Sequence, residues 1–173
     1  LPAVADRLSV VISVANGRGP EPPLPGAEQG HDEYKEWAHS QKHDIAEFSD
    51  RGGMRFSALD IEKCIRPRID AQSLSALFIY FAGHGECSRL EEDYWLLRRT
   101  NVGPGDIINV GATVRLARLA GVPRVVLISD ACRSTGDALS LALYESATPI
   151  LPARNFDRIS VKETSNPLPQ SLV

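Results

Sequence analysis

Three stretches of the chain concentrate β-branched and aromatic residues: Leu8–Ala15 (LSVVISVA), Ser75–Ala82 (SALFIYFA) and Arg124–Ser129 (RVVLIS). The second is almost continuously apolar, the pattern of a strand covered on both faces in a parallel sheet. Between the strands the apolar period lengthens. Tyr34, Trp37, Ala38, Ile45 and Phe48 predict a helix over Asp32–Phe48, broken by Arg51-Gly52-Gly53. Ser57-Ala58-Leu59-Asp60 fits a capping box that opens a second helix. Ile61, Cys64 and Ile65 share a face of it, so Cys64 reads as a small core residue, and Pro67 predicts an end or kink near Arg66. Asn109–Ala120 predicts a third helix, stopped by Gly121 with Pro123 just beyond. Tyr94–Leu97 fits a short strand and Asn101–Gly105 a turn. Asn16–Gly30 holds four prolines and four glycines and reads as a long loop. Strands alternating with helices imply an α/β fold with an open, mostly parallel sheet and right-handed crossovers.

A length of 173 residues suits one domain with a tail. We expect the domain over residues 1–147 and a loop-rich tail, or the start of a further portion, over 148–173. In that tail only Arg158–Val161 has strand character, and Ala138–Leu143 before it fits helix or strand. Hydrophobic residues at 43% and charged residues at 24% exclude wholesale disorder. A net charge of −3 gives no overall basic field for nucleic acid, and no apolar run is long enough for a membrane span. Leu1 opens the sequence and no signal-type apolar region follows, so it reads as an internal fragment without a visible signal peptide. The three cysteines, Cys64, Cys87 and Cys132, lack C-x-x-C spacing, which argues against a zinc ribbon and for a reducing, cytoplasmic compartment.

Chemistry concentrates where two strong strands end. His84 leaves one strand between Gly83 and Gly85, and Cys132 leaves another. In an open parallel sheet, sites form beyond the carboxyl ends of the strands. One crossover helix fits between them, so neighbouring strands would bring imidazole and thiol together as a nucleophile–base pair. The amides of Gly85 and Cys132 are candidate donors to an oxyanion. Asp130 stands two residues before Cys132 and shares its face in an extended segment, suited to pair with a cationic substrate group.

At these residues the chain resembles caspase-like cysteine peptidases, a family that includes caspases, metacaspases and bacterial relatives. Tyr80-Phe81-Ala82-Gly83-His84-Gly85 and Ile128-Ser129-Asp130-Ala131-Cys132-Arg133-Ser134 look like their two catalytic motifs. The spacing agrees with the ~50 residues expected between His and Cys. The resemblance spans roughly Leu8 to Gly136. It implies a caspase–hemoglobinase-like three-layer sandwich and peptide-bond hydrolysis, with Cys132 as nucleophile and His84 as general acid/base. It needs no organic cofactor or catalytic metal. Some metacaspases require calcium, so calcium activation stays open.

Animal caspases carry Gln-Ala-Cys-Arg-Gly and cleave after Asp; here Asp130 stands where that Gln would be. The likeness is closer to metacaspases, in which an Asp there lines the S1 pocket and favours Arg or Lys at P1. Leu24-Pro25-Gly26-Ala27 followed by Asp32 resembles the metacaspase segment that supplies a second S1 acid. Arg18 is a rival substrate-binding candidate and would suit an acidic P1 residue. The family fold has six core strands, the last two in a small-subunit portion, and four are legible here. The implied partners are a protein or peptide substrate, an attached sensor or recruitment domain, and a small-subunit-like chain. Arg154, Arg158 and Lys162 would be self-cleavage sites of an enzyme cutting after basic residues.

Two other readings stand beside this one: a catalytically inactive caspase-like interaction module, and a flavodoxin-like nucleotide-binding domain. The latter lacks a Gly-rich phosphate loop after the first strand. Cys87 reads as structural. His31, His39 and His43, in or near one helix, read as solvated rather than as metal ligands. Glu91-Glu92-Asp93 reads as a solvated acidic run, and Arg98-Arg99 is too small a basic cluster for nucleic acid.

Overall fold

The computed structural model describes residues 6–16, 23–87, 92–97, 105–131, 134–135 and 145–152. The elements run β1 (Arg7–Ser13), α1 (Pro25–Ser40), β2 (Asp44–Ser49), a 3₁₀ turn (Arg51–Gly53), α2 (Ala58–Asp70), β3 (Ala76–Cys87), β4 (Asp93–Leu96), β5 (Ile107–Asn109), α3 (Val110–Ala117), β6 (Arg124–Ala131) and the two-residue β7 (Ser134–Thr135). The fold is α/β, and its sheet is mixed. Strands β2, β1, β3 and β6 lie side by side and parallel. Strands β4 and β5 continue antiparallel from the distal half of β3, where β7 also pairs.

Helix α1 covers one face of the sheet and α2 the other. On the α2 face, Ile61, Ile65 and Ile69 pack on Val10, Ile12, Leu77, Ile79 and Phe81. On the α1 face, Ala27 and Tyr34 meet Val11, Tyr80 and Ala82. The division follows strand alternation, because successive residues of β1 and β3 point to opposite faces. Thr148 accepts from Asn109 N at 3.0 Å and donates to Ile107 O at 3.0 Å. Ile150 and Leu151 are then fully buried and belong to the main core.

Several local expectations fail for identifiable reasons. The Pro/Gly-rich loop ends early, since α1 starts at Pro25, where a missing N–H costs a helix nothing. The single helix over Asp32–Phe48 is instead α1, a tight turn and β2. Lys42 takes φ 60° in that turn, and β2 then alternates Ile45 toward α1 with Ala46 and Phe48 toward α2. Ser57 caps α2 through the expected box with Asp60, but Pro67 does not end the helix. The last turn is held by buried Ile69 and by Arg68, which donates to Asp44 at 2.7 Å. Cys64 is exposed: the buried stripe runs Ala58, Ile61, Ile65, Ile69, and Cys64 falls outside it. His31 and His43 are buried rather than solvated, because α1 lies flat on β1 and β2. Residues Ala138–Leu143 and Arg158–Val161 lie outside the described residues.

Candidate active site

The site begins with how β3 carries His84. The strand does not stop at Ala82 but runs through Gly83 and His84 to Cys87, because β4 pairs with its distal half, His84 against Leu96 and Gly85 against Trp95. Beside it β1 ends: Val14 N donates to Ala82 O at 2.9 Å. A Cβ on Gly83 would stand 3.0 Å from Phe81 Cζ and 3.2 Å from the Val14 carbonyl oxygen, so glycine lets the two backbones close up here. His84 is therefore held by its pairing with β4 just beyond the end of β1, with its side chain on the α1 face beside Ala82 and Tyr80.

Burial lowers the His84 pKa, and the carboxylate of Asp50 opposes the shift by favouring the imidazolium. The net direction is downward, so the ring is neutral at pH 7, as a general base must be. Asp50 itself closes the end of β1: its carboxylate accepts from Ala15 N at 2.9 Å and Asn16 N at 2.8 Å. Nothing in the sequence singled out Asp50, which lies 34 positions before His84 and beyond the end of β2.

Strand β6 brings Asp130 to the same face. It pairs with β3 so that Ile128 stands against Tyr80, Asp130 against Ala82 and Ala131 against Gly83. The register resumes beyond, Ser134 against Glu86 and Thr135 against Cys87. On both sides each partner lies 48 positions further along the chain, and His84 falls between the two sets. Cys132, like Arg18, lies outside the described residues. So do Arg98, Arg99, Arg154, Arg158, Lys162 and Glu91.

Asp130 is exposed, and its Oδ2 accepts from the Tyr80 hydroxyl at 3.2 Å. Tyr80 was part of the quoted motif, yet its role was not legible, because the contact depends on the pairing of strands 50 residues apart. Gly30 of α1 lies directly over this pair: a Cβ there would come within 2.3 Å of the Tyr80 hydroxyl oxygen and 3.3 Å of Asp130 Oδ2.

Asp32 is placed elsewhere. Two residues on from Gly30, it is rotated by about 200° around the helix axis. Arg51 holds it, donating at 2.9 and 2.7 Å to its two oxygens and pushing its pKa below the usual carboxylate value. The structure thus brings His84 and Asp130 onto one face and leaves Asp32 in a surface ion pair. The α1 acid whose charge acts on Tyr80 is Glu33.

Gly85, buried in β3, lines a cavity of about 250 Å³ with Glu86, Trp95, Ser129 and Ala131. By strand alternation Gly85, Ser129 and Ala131 face away from His84 and Asp130, so this cavity lies on the other face of the sheet. Trp95 floors it, stacked on Phe81 at 4.7 Å and donating to Ser129 Oγ at 2.9 Å. Among the described residues there is no group of three or more His, Cys, Asp or Glu that could hold a metal ion. No helix among them is long and apolar enough to cross a membrane. No protein-family model matches the chain, and no curated protein matches it.

Proposed function

We propose that this chain is the catalytic portion of a caspase-like cysteine endopeptidase that cleaves after Arg or Lys. The observation that carries the reading is the register. The 48-residue offset between β3 and β6 before residue 132, and between β3 and β7 after it, brackets the separation of His84 and Cys132. A register continued without a break would set a residue 48 positions after His84 opposite it, the arrangement that a base and a nucleophile require.

The chemistry follows from these groups. Neutral His84 takes the thiol proton of Cys132, and the thiolate sulfur bonds to the scissile carbonyl carbon. The tetrahedral oxygen falls to the amides of Gly85 and Cys132. Collapse breaks the C–N bond, and His84 delivers its proton to the departing amine. Water, deprotonated by His84, then hydrolyses the thioester and restores the thiol. Asp130, exposed on the His84 face, supplies the negative charge for a cationic P1 side chain. Asp32, neutralised by Arg51, is not needed for it.

A fluorogenic peptide panel varied at P1 tests this, with wild type, Cys132→Ala, Asp130→Asn and Asp32→Asn, each with and without calcium. The expected result is cleavage after Arg and Lys that vanishes in Cys132→Ala, weakens in Asp130→Asn and persists in Asp32→Asn. Cleavage after Asp alone would keep the enzyme and overturn the pocket. A panel left uncut by the full-length protein would favour the inactive interaction module, the second reading that the motif resemblance permits.

A further inference from the structure

The Gly30–Tyr80–Asp130 contact asks why a helix that needs only to cover the sheet carries glycine at this position and tyrosine beneath it. Tyr80 is buried, and its ring stacks on Tyr34 of α1 at 4.5 Å with 8° between planes. The ring cannot swing away without losing that stack. Its hydroxyl is consequently fixed in the narrow space that the missing Gly30 side chain leaves. From there it donates to Asp130 Oδ2. Among the described residues no other side chain donates to this carboxylate.

We propose that Tyr80 is a positioning residue for P1 recognition: through its hydroxyl it fixes the Asp130 carboxylate for a substrate guanidinium or ammonium, and Gly30 is required to admit that hydroxyl. The inference rests on the peptidase reading and goes beyond it by naming the device that orients the acid. A planar guanidinium binds a carboxylate best through two parallel hydrogen bonds, which demand a fixed carboxylate plane. One bond from Tyr80 to Oδ2 restrains that plane and occupies one acceptor site of Oδ2, leaving its other site and Oδ1 for the two substrate N–H groups. Burial, reinforced by the Asp130 charge, pushes the Tyr80 pKa up to about 12, so the phenol remains a donor wherever the enzyme works.

The test is a mutant cycle read on two substrates, one with Arg at P1 and one with its uncharged isostere citrulline. Tyr80→Phe keeps the stacked ring and removes only the hydroxyl. It should raise KM for the Arg substrate roughly tenfold, the worth of one hydrogen bond to a charged group. Its kcat and its KM for citrulline should hold. Gly30→Ala should raise the Arg KM similarly, by displacing the hydroxyl. In Tyr80→Phe/Gly30→Ala the obstructed atom is gone, so the alanine should add almost nothing. Confinement of that non-additivity to the Arg substrate, with citrulline unaffected, would not arise if the two residues merely supported the fold.

Equal losses on both substrates, additive single effects, or an unchanged Arg KM in Tyr80→Phe would each overturn the proposal. In those cases a selective loss in Asp130→Asn would leave the peptidase reading standing. If wild type shows no preference for Arg over citrulline, the P1 assignment fails and the proposal with it.

Discussion

On the α2 face, Ile61, Ile65 and Ile69 meet Val10, Ile12, Leu77 and Phe81, and almost every contact is hydrocarbon. On the α1 face, the buried or half-buried groups include Ser9, His31, Tyr34, His43, Tyr80 and His84. Both faces are drawn from the same strands, often from adjacent residues: Phe81 points into the first and Tyr80 into the second. Ser9 Oγ lies 2.9 Å from His43 Nδ1, and His43 stacks on Phe78. Polar groups buried in this way cost stability unless paired, whereas hydrocarbon contributes in proportion to the area it removes from water. The apolar face can therefore stabilise the domain while the polar face holds chemistry at some cost. His84 and Asp130 belong to the polar face, and so does every side chain proposed to touch the P1 group.

This contrast can be broken by substituting one face at a time. The largest effect is expected from His84→Ala, which should lower kcat/KM by roughly 10²–10⁴-fold, the usual worth of a general acid–base group, with little change in denaturation midpoint. A midpoint collapse alongside the activity loss would show that the polar face also carries the fold. Ile65→Ala, on the opposite face, should do the reverse. We expect about 2–5 kcal/mol of lost stability in urea unfolding, with kcat/KM per folded molecule unchanged.

The smallest effect concerns the charge beside His84. Asp50 raises the His84 pKa against the lowering by burial, so Asp50→Asn should let it fall further. The neutral base then survives to lower pH, and the acid limb of the kcat/KM profile should move down. A limb that stays fixed, or moves up, would remove Asp50 from the electrostatics of the site.

Much of the fold was legible because it is written in local pattern. LFIYFA can hardly be anything but a buried strand, and Ser57 with Asp60 spells out a helix start that the structure reproduces. The α1–β2 junction was not legible. Gln41 and Lys42 look like one polar turn of a continuing helix, and only the positive φ at Lys42 reveals the break. Cys64 was misplaced because a helical face about 100° wide admits several spacings, and only the docked sheet selects Ile61, Ile65 and Ile69.

The amino-acid sequence by itself determined β1, β3 and β6, the Ser57–Asp60 cap of α2 and the residue types at the two motif ends, since each depends on neighbours a few positions away. Tertiary structure decided which carboxylate is available. Asp32 and Asp130 are the same residue type, but Arg51 reaches the first only after α1 has settled on the sheet, and Tyr80 the second only once β6 has paired with β3. Charge pairing is a property of distance in space, and chain order does not encode it.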